Sequence, residues 1–113
     1  MSMFRAKRLD LGCIINTRIV RDHTKRMTYY SYETERQALR YIVRNTTLSP
    51  RLRAEAQLQL ASMHCYTRST PIKNRCIMGG RGRAVFRAFK LSRFVFRMEA
   101  LAGNLPGVRK GSW

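Results

Sequence analysis

The sequence predicts a mainly α-helical, extended and non-globular chain of about four helices that ends in an irregular C-terminal module. Three observations support this prediction. Apolar residues recur at helical spacing in several segments, and the period breaks after Met63 in a stretch rich in glycine. The chain also carries a net charge of +17 over 113 residues, and self-repulsion of that size opposes a compact fold.

The first helix is predicted over roughly 16–28, where basic residues recur on one face. Arg18, Arg21 and Lys25 lie three and four residues apart, so they form a stripe along the helix. Such a stripe either faces solvent or contacts an anionic partner.

The second helix is predicted to begin at Thr34, because Gln37 three residues later completes a capping-box pattern. Its apolar face comprises Ala38, Tyr41 and Ile42. Its charged face comprises Arg36, Arg40 and Arg44. We interpret this charged face as a solvated one, which is the usual fate of a charge run on a helix.

The third helix is predicted to begin at Ser49, a favourable N-cap residue. Pro50 then takes the first helical position, where a backbone N–H is not needed. The apolar residues that follow at helical spacing are Leu52, Ala56, Leu60 and Met63. We therefore assign residues 1–65 to an N-terminal helical arm and residues 66–113 to a C-terminal module.

The C-terminal module begins with an extended stretch that has no period and contains Pro71. Three glycines within four residues of MGGRGR indicate a tight turn or a close approach of the backbone to a partner. The segment AVFRAF that follows is typical of a short β-hairpin.

The last helix is predicted over roughly 91–102 and ends at Gly103, since glycine is a common helix terminator. Its apolar face comprises Leu91, Phe94, Val95, Met98 and Leu101. We expect Phe94 to lie in the core. The remaining residues form an extended tail with a Pro-Gly turn that ends in Trp113.

The basic residues favour nucleic acid as the partner. Of the 23 Lys and Arg residues, 18 are Arg, which suits bidentate contacts to phosphates and base edges. Residues 74–97 hold seven Lys or Arg and four Phe but no acid. Because 44% of the chain is hydrophobic, we expect it to fold on its partner rather than stay disordered.

Enzymatic function is not expected. His64 and Cys65 are adjacent, and adjacent side chains rarely face each other as a nucleophile and its base. The glycine-rich turn lacks the Lys and Ser or Thr of a nucleotide-binding loop.

Three cysteines (Cys13, Cys65 and Cys76) show no pairing pattern and indicate reduced thiols. No apolar run approaches the ~20 residues that span a bilayer.

The spacing around Cys76 is that of a zinc ribbon with most of its ligands missing. Cys76, Gly79, Ser92 and Val95 occupy positions where four cysteines, in two pairs three residues apart, would close a tetrahedral site. A single thiolate cannot hold structural zinc. We therefore predict a degenerate zinc-ribbon-like turn with no metal and no other cofactor.

The C-terminal segment resembles the small-subunit ribosomal protein S-fourteen family. The resemblance lies in NRCIMGGRGRAVFRAFKLSRFVFR and in the tail GNLPGVRKGSW. The matching motif residues are Asn74, Arg75, Cys76, Gly80, Arg81, Arg87, Phe89, Leu91, Ser92, Arg93 and Arg97, followed by Gly103, Leu105, Pro106, Gly107, Val108, Lys110, Ser112 and Trp113. Gly82 and Lys90 depart from the family pattern, which has a frequent Pro and a Gly there.

The resemblance implies a structural protein of the small ribosomal subunit. It is strongest to the zinc-free mitochondrial form, particularly the fungal one, and so implies the mitochondrial matrix. The N-terminus has three basic residues before its first acid, which is compatible with import. The family binds the 3′ major (head) domain of small-subunit rRNA beside ribosomal proteins S-three, S-ten and S-nineteen. It would have no DNA, membrane or self-association partner.

We expect the cations of the C-terminal module and of the first helix, together with the terminal Trp, to contact rRNA. These residues are Arg18, Arg21, Lys25, Arg26, Arg68, Lys73, Arg75, Arg81, Arg83, Arg87, Lys90, Arg93, Arg97, Arg109, Lys110 and Trp113. For Phe86 and Phe89, core packing and stacking on a base both remain open.

Three alternatives stay open from the sequence. In the first, the chain is a bacterial or plastid counterpart of the mitochondrial protein. In the second it is a DNA-binding nucleoid protein, and in the third a basic amphipathic protein that binds membranes. A nucleoid protein would present a dimer face or a recognition helix, and neither pattern is found. A membrane binder would confine its cations to one helix face, whereas here they continue through loops and turns.

Overall fold

The structure is a computed structural model that describes residues 16–113. Cys13 and the basic N-terminal stretch lie outside the described residues. The elements in chain order are α1 (Thr17–Arg44), α2 (Pro50–Ser62), a 3₁₀ turn (Cys65–Thr67), β1 (Val85–Phe86), β2 (Leu91–Ser92) and α3 (Arg93–Leu101). The mainly α class with a C-terminal hairpin and final helix is thus confirmed, with three α-helices in the described part.

The first two predicted helices are one continuous helix, α1, so the predicted start at Thr34 is wrong. Gln37 does not close a capping box, because its Nε2 donates instead to Glu33 Oε1, one turn earlier, at 3.2 Å. Tyr29 donates its hydroxyl to the same oxygen at 3.2 Å. Neither Gly nor Pro interrupts the segment, so nothing breaks the backbone ladder.

The third predicted helix, α2, begins as expected. Pro50 takes the first helical position after Ser49, although the Ser49 side chain makes no capping hydrogen bond. Of its predicted apolar positions Ala56 and Leu60 are buried, whereas Leu52 is exposed.

The described residues divide into two units. The N-terminal unit is His23–Ile72, and the C-terminal unit is residues 16–22 with Lys73–Trp113. In the N-terminal unit Arg36 is only 6% exposed, which corrects its interpretation as part of a solvated face. Its Nη1 donates to Thr67 Oγ1 at 3.1 Å. Burial, and then the charges of Arg40 and Arg68, lower the pKa of the Arg36 guanidinium.

In the C-terminal unit β1 and β2 form the predicted antiparallel hairpin, with Val85 opposite Ser92 and Phe86 opposite Leu91. The helix α3 follows β2 directly. The predicted helix start at residue 91 is therefore wrong by two residues, because Leu91 and Ser92 pair with β1. The Ser92 hydroxyl accepts a hydrogen bond from the Val95 N–H at 3.4 Å, so Ser92 caps α3. Gly103 follows the helix at φ +80°, which confirms it as a left-handed terminator.

The placement of Phe94 in the core is wrong, because its side chain is 64% exposed. Phe96, which is half-buried, packs against the hairpin instead. Its ring centroid lies 5.2 Å from that of Phe86 and 4.8 Å from that of Phe89. The register of β2 into α3 turns Phe96 toward the hairpin, while buried Leu91 anchors the strand.

The apolar interior is small. Within residues 16–113 the buried apolar side chains are Ala56, Leu60, Cys76 and Leu91. Large apolar side chains such as Tyr30, Leu58 and Trp113 are exposed. No helix of the described part has the length and apolar character to cross a bilayer.

Candidate nucleic-acid interface

A tight turn over residues 76–81 lies at the centre of the candidate interface. The Cys76 carbonyl accepts from the Gly80 N–H at 2.8 Å, and the Cys76 N–H donates to the Arg81 carbonyl at 2.9 Å. Gly80 has φ +68°, and a Cβ there would lie 3.0 Å from the Asn16 side chain. Only glycine combines this positive φ with the short distance to Asn16 without strain.

Hydrogen bonds join the four positions of zinc-ribbon spacing. Cys76 is 0% exposed, and its Sγ accepts from the Gly79 N–H at 3.4 Å. Burial opposes ionisation of this thiol, but hydrogen bonds from Ser92, Gly79 and Met78 outweigh it and leave the pKa of Cys76 below its usual value. Ser92 in turn accepts from the Val95 N–H.

These residues do not fit a metal ion. Cys76 is the one side chain of a metal-binding type among the four, and structural zinc needs four such ligands. Within the described residues no group of three or more His, Cys, Asp or Glu side chains could hold a metal. The turn is therefore closed by hydrogen bonds where a zinc ribbon would use its ion.

Replacing Gly80 by Ala should weaken rRNA binding about five- to thirtyfold. A left-handed non-glycine residue costs about 1–2 kcal/mol, and this cost lowers the population of the binding-competent turn. Gly79→Ala is the control, because a Cβ there would lie 4.0 Å from Cys76 Sγ, an ordinary contact. Filter binding to a small-subunit rRNA transcript measures both, and equal affinities would contradict this role of Gly80.

A polar cleft of about 320 Å³ lies against this turn. We call it the cationic cleft. Its charged lining residues are Arg18, Lys73, Arg75, Arg81 and Arg83. Arg75 is half-buried, and its Nη1 donates to the Gly80 carbonyl at 2.9 Å. The cleft therefore gathers five cations that the sequence predicted as RNA contacts.

Asp22 holds the two chain segments of the cleft together. Its Oδ1 accepts from the Lys73 backbone N–H at 2.9 Å, and the residue is 8% exposed. This contact ties the first turns of α1, which carry Arg18, to the start of the C-terminal segment. Sequence reasoning missed Asp22, although it is the one acid within residues 16–32.

The C-terminal unit has little negative charge to oppose its cations. Residues 16–22 and 73–113 hold twelve Lys or Arg and two acids, Asp22 and Glu99. Both acids are engaged within the unit, since Glu99 Oε2 accepts from Asn104 Nδ2 at 2.6 Å. A strongly positive surface attracts polyanions and concentrates them there.

The sixteen predicted contact residues divide between the two units. Lys25, Arg26 and Arg68 belong to the N-terminal unit and the other thirteen to the C-terminal unit. Fourteen are exposed, while Lys25 and Arg75 are half-buried. Lys25 Nζ lies 5.4 Å from the centroid of the Tyr66 ring, which places this cation over a ring face. Arg87 and Lys90 lie in the turn between β1 and β2.

Lys90 has a left-handed backbone, φ +54°, a conformation that favours glycine. Its carbonyl accepts from the Ile77 N–H at 3.0 Å, which joins the hairpin turn to the turn at Cys76. Ala84 at φ +53° shares this strain and has no charge. A lysine in this conformation costs about 1–2 kcal/mol, which a phosphate contact would offset.

Lys90→Gly should therefore relieve strain and still weaken rRNA binding, with the slope of log affinity against log salt falling by about one. Ala84→Gly relieves the same strain without loss of charge and should leave the slope unchanged. Filter binding at several salt concentrations measures both slopes. A Lys90→Gly slope equal to that of Ala84→Gly would remove Lys90 from the interface.

The chain is similar to known proteins over its whole length. The model of the family described as ribosomal protein S14p/S29e matches residues 59–112. The small ribosomal subunit protein uS14m of Neurospora crassa is 63% identical over 113 residues, all of both chains. Proteins of the same name are 52% identical in Schizosaccharomyces pombe, over 82% of this chain and 89% of the relative, and 50% identical in Eremothecium gossypii, over 88% and 87%.

Proposed function

The chain belongs to the ribosomal protein S14p/S29e family, and from this membership we propose that it is a structural constituent of the mitochondrial small ribosomal subunit. It binds small-subunit rRNA there and supports translation. The family consists of ribosomal structural proteins and is not an enzyme family. The uS14m names of the fungal relatives support the mitochondrial assignment.

The observation that supports RNA binding most strongly is the cationic cleft. Arg18 comes from α1, whereas the other four cations come from residues 73–83. Cations that come from separate chain segments and lie close together can bind phosphates of separate RNA strands that meet at one place. Contacts of this kind position a protein on folded RNA by its shape, with no need to read base sequence.

The remaining cations extend the same mode of binding over the C-terminal unit. If ~8–10 phosphates are engaged, affinity for rRNA should fall by about 10³–10⁵ between 50 and 200 mM salt. The small apolar interior fits this mechanism, because the bound RNA would cover surface that the chain itself leaves exposed.

We place the protein in the matrix, on the 3′ major (head) domain of the rRNA. Its neighbours there are members of the S-three, S-ten and S-nineteen families. In this proposal residues 66–113 are the rRNA-binding module and residues 1–65 an N-terminal arm. The sixteen residues named above are its rRNA contacts, and it binds neither DNA nor membranes and does not form homo-oligomers.

Depletion of the protein tests the proposal. Small subunits assembled without it should lack a completed head, and a plasmid-borne copy should restore the head. A normal head in depleted particles would contradict the proposal. A filter assay in which duplex DNA outcompetes structured rRNA at equal salt would favour the nucleoid alternative, and binding to anionic vesicles but not to ribosomal particles would favour a membrane function.

A further inference from the structure

A second cleft in the C-terminal unit has an apolar floor. Its volume is about 360 Å³, at the lower end of the roughly 300–1,000 Å³ of small-ligand pockets. The apolar side chains that line it include Phe86, Phe96, Leu101 and Val108. We call it the aromatic cleft. Phe86 and Phe96 are half-buried, so part of each ring remains accessible.

Four cations surround this floor. They are Arg93, Arg97, Arg109 and Lys110, and the lining residues, all in the described part of the chain, include no acid. The Arg93 Cζ lies 4.6 Å from the centroid of the Phe86 ring. Its guanidinium therefore covers the Phe86 ring and offers its own outer face to a planar ligand. The Phe96 ring lies at 73° to that of Phe86, so it forms a wall beside this platform.

The two walls come from α3 and from the tail, which two glycines fold back. Gly103 and Gly107 have φ +80° and +76°. The Asn104 N–H donates to the Glu99 carbonyl at 3.0 Å and closes the first turn. The chain then brings residues 108–111 to the cleft, so the cleft depends on the conformation of the tail.

We propose that the aromatic cleft holds one unpaired nucleotide of the rRNA. Its base stacks on the Arg93 guanidinium, which Phe86 supports from beneath, and packs against Phe96, while its phosphate contacts Arg97, Arg109 and Lys110. This inference rests on the proposed function and goes beyond its phosphate contacts. The carboxylates of an acidic peptide would pair with the cations but would make no favourable contact with the aromatic rings. An unpaired base is what protein aromatic and guanidinium planes bind in RNA.

The test compares two RNA hairpins that differ by one bulged adenosine, each bound by the full-length protein. The wild type should bind the bulged hairpin about five- to a hundredfold more tightly, the range expected for stacking of one base. With 2-aminopurine in place of the bulged adenosine, its fluorescence should be quenched on binding.

Phe86→Leu and Phe96→Leu should each remove most of this preference, and Phe96→Tyr should retain it. Phe94→Leu is the matched control, because Phe94 lies on the same helix, is exposed and does not line the cleft. Arg109→Gln with Lys110→Gln alters only the tail, which leaves the hairpin and α3 intact. It too should reduce the preference severalfold.

Several results would overturn the inference. If the wild type binds both hairpins equally well, or if the Phe variants keep the preference, the nucleotide site is excluded while the proposed function stands. Binding of neither hairpin would also exclude the nucleotide site, while the depletion experiment tests the proposed function separately. A polyglutamate peptide that binds the wild type but not Phe96→Leu, with no preference for the bulge, would make the cleft a protein-docking site.

Discussion

Replacing Arg18, Arg81 and Arg83 together by glutamine is expected to weaken binding to a small-subunit rRNA transcript by about 10²–10³ at physiological salt. Each of these solvent-exposed contacts contributes about 1–1.5 kcal/mol net, so three contribute about 3–4.5 kcal/mol, and 1.4 kcal/mol is a tenfold change in affinity. The slope of log affinity against log salt should also fall by about two to three, because roughly 0.7–0.9 is lost for each phosphate released. Filter binding across a salt series measures both quantities.

The matched control replaces Arg40, Arg44 and Arg51, three exposed cations of the N-terminal unit, by glutamine. It removes the same net charge outside the cationic cleft. Arg51 pairs with Glu55, one turn away on the surface, and such a pair contributes little to stability. An equal loss of affinity in both triple variants would mean that total charge, and not the cleft, determines binding.

Restoring three cysteines around Cys76 should create a zinc site. The variant Gly79→Cys, Ser92→Cys and Val95→Cys places four thiols at zinc-ribbon spacing. A Cβ at Gly79 would lie 4.0 Å from Cys76 Sγ, so a Cys side chain fits there beside the Cys76 thiol without a clash. Structural zinc contributes on the order of 10 kcal/mol of apparent binding energy. We therefore expect stoichiometric zinc by elemental analysis and a melting temperature that falls on chelation.

The wild type serves as one control, since we expect it to bind no zinc and to be insensitive to chelators. A second control adds Cys76→Ala to the variant, which should weaken zinc binding strongly. Stoichiometric zinc in the wild type would refute our interpretation of the turn. Failure of the four-cysteine variant to bind zinc would show that the hydrogen-bonded turn departs from zinc-ribbon geometry.

The sequence predicted those parts of the fold that depend on local chemistry. Pro50 marked the start of α2, Gly103 the end of α3, and the segment after the glycine-rich turn formed the hairpin. Each of these signals acts through a few neighbouring residues, by restricting or freeing the backbone.

The errors had both local and long-range causes. Gln37 binds Glu33 one turn earlier on the same helix, so the capping pattern at Thr34 had no effect. The helix period could not show whether Phe94 or Phe96 faces the hairpin, because that depends on how α3 follows β2. Arg36 is buried by Thr67, which lies 31 residues away in the chain.

The candidate site was predictable in composition but not in arrangement. Five of the proposed contacts meet in the cationic cleft because Asp22 binds the backbone of Lys73, 51 residues later. No spacing rule indicates such a contact. The assignment of all sixteen residues to rRNA binding stays a prediction.

Sedimentation of a tagged copy of the chain with mitochondrial small ribosomal subunits tests the central claim most directly. We expect the wild type to travel with the small-subunit peak at physiological salt and the Arg18, Arg81 and Arg83 variant to remain largely at the top of the gradient. A wild-type chain that stays at the top, or that sediments with DNA or membranes and not with the small subunit, would contradict the account.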